Sequence, residues 1–338
     1  MSNKWFCLGI DTSNYTTSAA IVDEERNIIA DSRVVLEVKQ GERGLRQSQA
    51  LFEHIGNLPG VLEELFLQAE RAEGFARERI CAVAVSERPR PVEGSYMPVF
   101  QAGISHGKAI AGSLDVPCYG FSHQEGHLAA VLPGTGIDPS EPFLALHLSG
   151  GTTEVLLCSR IEGSDGPAFD IQIVGGTKDL SYGQVIDRTG VALGMRFPCG
   201  RAIDNAAMRY TFGRKQEPLP ELCRILTEDG RINLSGIETQ IQRYIKEKTA
   251  SGEKGETLAG PLAAALLDRI GDSLEKMIGQ CRRKTGVEPV LIAGGVASSQ
   301  FLRERLNTDP KLFFGKPELS SDNAVGTAIL GIERAFRE

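Results

Sequence analysis

The chain begins with an apolar run, Trp5 to Ile10, that stops at Asp11. It then passes a hydroxyl-rich loop (Thr12, Ser13, Asn14, Tyr15, Thr16, Thr17) and resumes as a second apolar run before a polar turn at Asp23 to Asn27 and a third short run. Short apolar segments bounded by turn residues predict successive strands. The plan recurs in "FLALHLSGGTTEVLLCSRI", where an apolar run to Leu148 meets a Ser-Gly-Gly-Thr-Thr turn and a further apolar run. Two strand–loop–strand units imply a duplicated architecture. Apolar positions recur with helical period over Gln49 to Arg71, Val99 to Leu114, Tyr182 to Leu193, Ile203 to Tyr210, Leu258 to Lys284 and Asn323 to Phe336. "ICAVAVS" at 80–86 and "PVLIAGG" at 289–295 read as further strands, the second running into a helix near Ser298, while TASGEKGET at 249–257 reads as a polar connection. Strands alternating with helices predict an α/β fold.

Length and composition narrow the picture. At 338 residues the chain exceeds the usual size of one core and points to two lobes. Its 41% hydrophobic and 24% charged residues are those of an ordinary globular protein. The amino terminus lacks the features of a signal peptide, and no apolar stretch approaches the ~20 residues that span a bilayer, so the expectation is a cytosolic protein without a membrane role. The seven cysteines are scattered, odd in number and never spaced as CxxC, which excludes a disulfide framework and a thiolate zinc site. A net charge of −7 disfavours a protein that grips nucleic acid over its whole surface and leaves room for a local basic patch.

Candidate chemistry starts at "FSHQEGHLAA", residues 121–130. Ser122 followed by Glu125 fits a capping box, which makes His123 the first helical residue and puts His127 one turn on, along the same face. Both rings then lie near a helix amino terminus, whose dipole opposes protonation and favours the neutral, metal-binding form. The pair reads either as two ligands of a metal or as two unrelated histidines. Glu125 stands two positions after His123, about 180° around the helix from the line joining the histidines, so the segment is not the HExxH of a metalloprotease. A third ligand has to come from elsewhere. Asp322, ahead of the last helix, reads either as an N-cap or as that carboxylate.

The turns after Asp11 and at Ser149, Gly150 and Gly151 present backbone amides and hydroxyls suited to an anion, as does the turn at Gly294 and Gly295, with an N-cap at Ser298 or Ser299. Asp187, Gly200 and Asp204 are candidates for ribose hydroxyls or magnesium, although a plain helix-surface role serves each one singly. His54, His106 and His147 read as packing or surface residues.

Taken together, HQEGH (123–127), SGGTT (149–153), GQVIDR with FPCG (183–200), LSGIET (234–239), AGGVAS (293–298) and SDNA (321–324) follow the order seen in the tRNA threonylcarbamoyladenosine transferase family, once described as O-sialoglycoprotein endopeptidases. The chain resembles that family over nearly its whole length. The resemblance implies a two-lobed actin/Hsp70/sugar-kinase-like fold with a duplicated βββαβα core. In it, residues 1–120 with helix 323–338 form one lobe, 121–322 the other, and a nucleotide and metal cleft lies between. It also implies transfer of a threonylcarbamoyl group from its adenylate to N6 of the adenosine beside the anticodon. His123, His127 and Asp322 would hold one divalent metal, iron or zinc, with magnesium accompanying the nucleotide. His147, Leu148, Ser149, Gly150, Gly151, Asp187, Gly200, Asp204, Gly294, Gly295 and Ser299 would line the site of an adenine nucleotide or acyl-adenylate, and Asp11 is the candidate catalytic group. Implied partners are tRNA and either a related subunit with a small ATPase or a second copy of the chain. Several positions depart from the family pattern: Tyr15 in the first loop, Thr152 in place of a histidine, Ser299 in place of an asparagine, and "ERPRPVEGSY" (87–96) in place of a glycine-rich segment. They suit a diverged paralogue, either a transferase or a nucleotide-binding regulator, as well as they suit the housekeeping enzyme.

Overall fold

In the computed structural model, residues 4–13, 15–37, 45–161, 163, 166–213 and 219–337 are described; Asn14 of the first loop lies outside them. In chain order the first elements are β1 (Phe6–Asp11), β2 (Thr16–Asp23), β3 (Ile28–Val35), α1 (Gln47–Ala69), β4 (Ile80–Arg88), α2 (Phe100–Leu114), β5 (Cys118–Ser122) and α3 (His123–Val131). They are followed by β6 (Phe143–Leu148), β7 (Thr153–Arg160), β8 (Phe169–Thr177), α4 (Tyr182–Ala192), α5 (Gly200–Thr211), β9 (Thr227–Glu228), β10 (Arg231–Ile232) and α6 (Ser235–Ala250). The chain closes with α7 (Gly255–Thr285), β11 (Val290–Ala293), α8 (Gln300–Leu306), β12 (Leu312–Phe314) and α9 (Val325–Ala335).

One compact unit comprises residues 1–136, 159–170 and 318–338. Its sheet has the order β3-β2-β1-β4-β5, with β1 antiparallel to β2 and parallel to β4. Every residue of β1 and β2 is buried, which is why both read as continuous apolar or small runs and not as alternating ones. Leu58, Val61 and Leu65 of α1 and Ala102 and Ala111 of α2 share a core with Phe6, Leu8 and Ile10. Truncating one of these buried leucines to alanine would cost about 2–5 kcal/mol. Helix α9 packs on β1 as well. A Cβ on Gly9 would lie 2.6 Å from the Ala324 carbonyl oxygen, so only glycine allows the helix to approach this strand so closely.

The other unit comprises 137–158 and 171–317. Its sheet runs β12-β11-β6-β7-β8-β10-β9. Within it, β8-β7-β6-β11-β12 repeats the order of the first sheet, and β6 is antiparallel to β7 and parallel to β11, as β1 is to β2 and β4. The duplication expected from the two strand–loop–strand segments is therefore present strand for strand.

Boundaries differ from the expected 120 and 323: residues 121–136, 159–170 and 318–322 cluster with the first unit. Residues 121–136 join it through packing between α3 and α9, where a Cβ on Gly326 would lie 1.8 Å from the Gly126 carbonyl oxygen, and 159–170 through the Ala168 amide on Glu125 and the ion pair of Arg160 with Glu333. Helix α6 and strands β5, β8, β9, β10 and β12 were not anticipated, and α6 and α7 reduce the polar connection at 249–257 to Ser251–Lys254. Among the described residues no helix is long and apolar enough to cross a membrane.

Candidate metal centre and nucleotide-facing turns

Helix α3 starts as its sequence requires. Ser122 is the N-cap in extended conformation, and its hydroxyl accepts from the Glu125 amide at 3.2 Å. The Glu125 carboxylate accepts from the Ser122 amide at 2.8 Å and from the Ala168 amide at 2.6 Å. Both oxygens of Glu125 are thus committed to backbone, and the residue acts as a cap, not as a base beside the histidines.

One turn of helix places the rings of His123 and His127 edge to face, 4.3 Å between centroids. Asp322 arrives from the segment ahead of α9, its Oδ1 lying 3.4 Å from His123 Nε2 and 3.2 Å from His127 Nε2. One donor atom from each of the three residues lies within 4.8 Å of the others. Two ligands about 2.1 Å from a tetrahedral metal stand ~3.4 Å apart, so the spacing suits one small ion. Two imidazoles and a carboxylate are a donor set for iron or zinc.

Behind His123 sits Asp11, only 1% exposed, at the end of β1. Its Oδ2 is 2.8 Å from His123 Nδ1, and its carboxylate also accepts from the Ser13 amide and hydroxyl at 2.9 and 3.0 Å. A carboxylate on Nδ1 fixes the ring and leaves Nε2 toward Asp322, the usual support of a metal-bound histidine. The Ser13 hydroxyl lies 3.3 Å from the same Nε2.

Protonation differs from the sequence expectation at one histidine. Burial would lower the His123 pKa, but the charge and hydrogen bond of Asp11, then Asp322, raise it to about 10. Two facing carboxylates thus favour the protonated ring, against the helix dipole. His127 follows the expectation: burial and the neighbouring His123 charge push its pKa down. Burial would raise the Asp322 pKa, but its bonds to the two histidines hold it well below the usual carboxylate range. A metal binding here has to displace the His123 proton.

Asp322 is not the cap of α9. The N-cap position is Ala324, without a side-chain cap bond, and the preceding Asn323 braces the segment, its Oδ1 accepting from the Val325 amide at 3.0 Å while its amide donates to the Leu319 and Ser321 carbonyls. From outside, Arg33 of β3 donates to the Glu318 carbonyl at 2.9 Å and approaches the Ser321 hydroxyl at 3.3 Å, its guanidinium held by Asp31. Arg33 carried no sequence signal for this site, because its contacts to Glu318 and Ser321 span nearly the whole chain. In the segment 87–96, the Pro89 carbonyl accepts from the Gln124 amide at 3.1 Å, joining it to the first turn of α3.

The second unit holds the nucleotide candidates. His147 and Leu148 end β6, and Ser149 closes the following turn by accepting from the Thr152 amide at 3.0 Å. Nothing lies within 4 Å of a Cβ built on Gly150, Gly151, Gly200 or Gly295, so each exposes backbone to open space. Gly294 differs: at φ +99°, its Cβ would fall 2.3 Å from the Leu148 carbonyl oxygen, so it joins the ends of β11 and β6. Ser299 is the N-cap of α8, and its hydroxyl donates to Asp204, which also accepts from the Gln300 and Phe301 amides. Asp187 accepts from the Cys199 amide at 2.7 Å, and burial raises its pKa. Asp204 and Ser299 are therefore together as expected, but bonded to each other.

The two matching sheets and the His₂–carboxylate cluster define a duplicated α/β protein of the actin, Hsp70 and sugar-kinase class with a candidate metal centre. A glucokinase of the ROK family from Streptomyces griseus, solved with glucose and AMPPNP, has the same fold, with a TM-score of 0.51 at 11% identity over 97% of this chain and 99% of its own. The chain belongs to the tRNA N6-adenosine threonylcarbamoyltransferase family, whose pattern matches residues 31–329. It is 30% identical to the enzyme of that name from Streptococcus gordonii over 326 residues, 94% of this chain and 89% of that one. With the Thermotoga neapolitana enzyme it shares 28% over 342 residues, 98% and 94% of the two chains.

Proposed function

We propose that the protein is a metal-dependent acyltransferase that moves a threonylcarbamoyl group from threonylcarbamoyl-AMP to N6 of adenosine 37 in tRNA. The convergence of His123, His127 and Asp322 in a chain of this family carries the reading. In the reaction a bond forms between N6 and the carbamoyl carbon, the bond from that carbon to the phosphate oxygen breaks, AMP leaves, and N6 loses one proton. His123, His127 and Asp322 would hold iron or zinc, which supplies Lewis acidity and a template for oxygen atoms. Asp11 fixes the His123 ring through Nδ1. In the second unit, the open backbone at Gly150, Gly151, Gly200 and Gly295 offers amides to the adenylate. The free thiols and the family suit a cytosolic enzyme working with a related subunit and a small ATPase, or as a homodimer.

A second reading, a nucleotide-binding regulator without transferase activity, is favoured by Asp187 and Asp204, both bonded to the chain's own amides. Mass spectrometry of total tRNA nucleosides from a deletion strain separates the two. Loss of threonylcarbamoyladenosine, restored by the wild-type gene and not by His123→Ala, supports the transferase; an unchanged level of the nucleoside overturns it.

A further inference from the structure

Between residues 189 and 213 the only carboxylate is Asp204, while three arginines, Arg196, Arg201 and Arg209, are exposed. Asp204 is turned inward, its oxygens taken by Ser299, Gln300 and Phe301 at the start of α8. Asp187, just upstream, is bonded to the Cys199 amide. None of the three arginines has a carboxylate partner among the described residues. Arg209 spends only its Nε, on the Asn205 carbonyl at 3.2 Å. Arg201, Asn205 and Arg209 follow one another at four-residue spacing, and Phe212 continues the same stripe with 69% of its surface exposed. The buried face of α5 is Ile203, Ala206 and Ala207. A helix whose own acid, Asp204, is tied to the start of α8, beside an Asp187 of α4 tied to the Cys199 amide, and which shows arginines, an amide and an aromatic ring outward, in a chain of net charge −7, is a local cationic face.

We infer that this face of α5, with Arg196 in the preceding turn, grips the phosphate backbone of the RNA acceptor, and that Phe212 offers a plane on which a base stacks. The inference rests on the reading of the acceptor as tRNA. Arginine forks pair with phosphate oxygens, and eight residues of helix set Arg201 and Arg209 about 12 Å apart, far enough to meet different phosphates. The exposed ring favours a nucleic acid over an acidic protein segment, because every base presents a face for stacking. Gly200, a residue expected at the adenylate, begins the same helix, so the acceptor would be held beside the donor's nucleotide.

The test is binding of a labelled, unmodified tRNA transcript by fluorescence anisotropy across a sodium chloride series. Each arginine–phosphate contact contributes roughly 0.7–0.9 to the slope of log Kd against log salt. Arg201→Gln with Arg209→Gln should therefore lower the slope by about 1.4–1.8 and weaken binding about tenfold or more at low salt, with an unchanged melting temperature. Phe212→Ala should weaken binding with the slope intact, and Arg243→Gln, on the exposed side of α6, should change neither. If wild type binds and the double variant keeps its slope, this face is refuted and the acceptor reading stands. If wild type does not bind tRNA, both fall. Displacement by polyglutamate as readily as by RNA would assign the face to an acidic protein instead.

Discussion

Replacing Asp11 by asparagine isolates the group that aims His123. The asparagine oxygen can keep the bond from the Ser13 amide, now 2.9 Å, but its NH₂ then faces His123 Nδ1, where a carboxylate oxygen stood at 2.8 Å. With a donor opposite Nδ1, the neutral ring places its proton on Nε2, the nitrogen that points at Asp322. The metal-binding lone pair is lost to the wrong tautomer. Removing an outer-shell partner of this kind typically lowers metal affinity about 10–100-fold, or ~1.4–2.7 kcal/mol. Competition against a chromophoric chelator measures this for zinc, and the visible bands of the cobalt form report the coordination. The expected result is weakened binding in Asp11→Asn and a larger loss in His127→Ala. Unchanged affinity in Asp11→Asn beside a clear loss in His127→Ala would refute the orienting role; unchanged affinity in both would refute the site.

Other expectations follow from the surrounding structure. Arg33→Ala, which releases the Glu318–Ser321 segment from β3, should cost about 1 kcal/mol or less in a urea melt yet weaken metal binding several-fold by loosening Asp322. Gly326→Ala forces α9 from α3 and should lower stability by about 1–3 kcal/mol, read as a lower Tm, together with metal affinity. Glu125→Gln should cost about 1 kcal/mol or more in the same melt through a weakened cap while leaving transfer activity in the folded fraction; loss of activity without loss of stability would return Glu125 to the chemistry. Cys223 is the one exposed thiol, whereas burial pushes Cys199 and Cys281 up to about 11, so a thiol reagent at pH 8 should label Cys223 first and those two only after unfolding, as peptide mapping would show.

Much of this was legible in the sequence where the determinant is local. The start of α3 depends on Ser122 and Glu125, three residues apart, and the duplicated strands announce themselves through their apolar runs and polar turns. Helix α6 also carried a usable signal, since Ile237, Ile241 and Ile245 recur every four residues and are buried, but Gly236 and the polar residues between them obscure it. Strand β8 gave little, because its burial is confined to its ends. The two carboxylates that raise the His123 pKa were not legible for a different reason: the helix start is local, while Asp11 and Asp322 come from distant segments that sequence spacing does not relate. Arg33 escaped in the same way, as a support of the segment that carries Asp322, whereas Asn323 stands inside the SDNA motif and bonds only to residues two to four positions away.

Metal-dependent transfer to tRNA is tested most directly by one measurement. The purified wild-type chain, His123→Ala and Asp322→Ala, each with the same partner proteins, are incubated with threonylcarbamoyl-AMP and unmodified tRNA, and the digested nucleosides are quantified by mass spectrometry. The expected result is threonylcarbamoyladenosine from wild type and a loss of at least about a hundredfold in both variants, in step with their loss of metal. Equal product from either variant, or none from wild type, would contradict it.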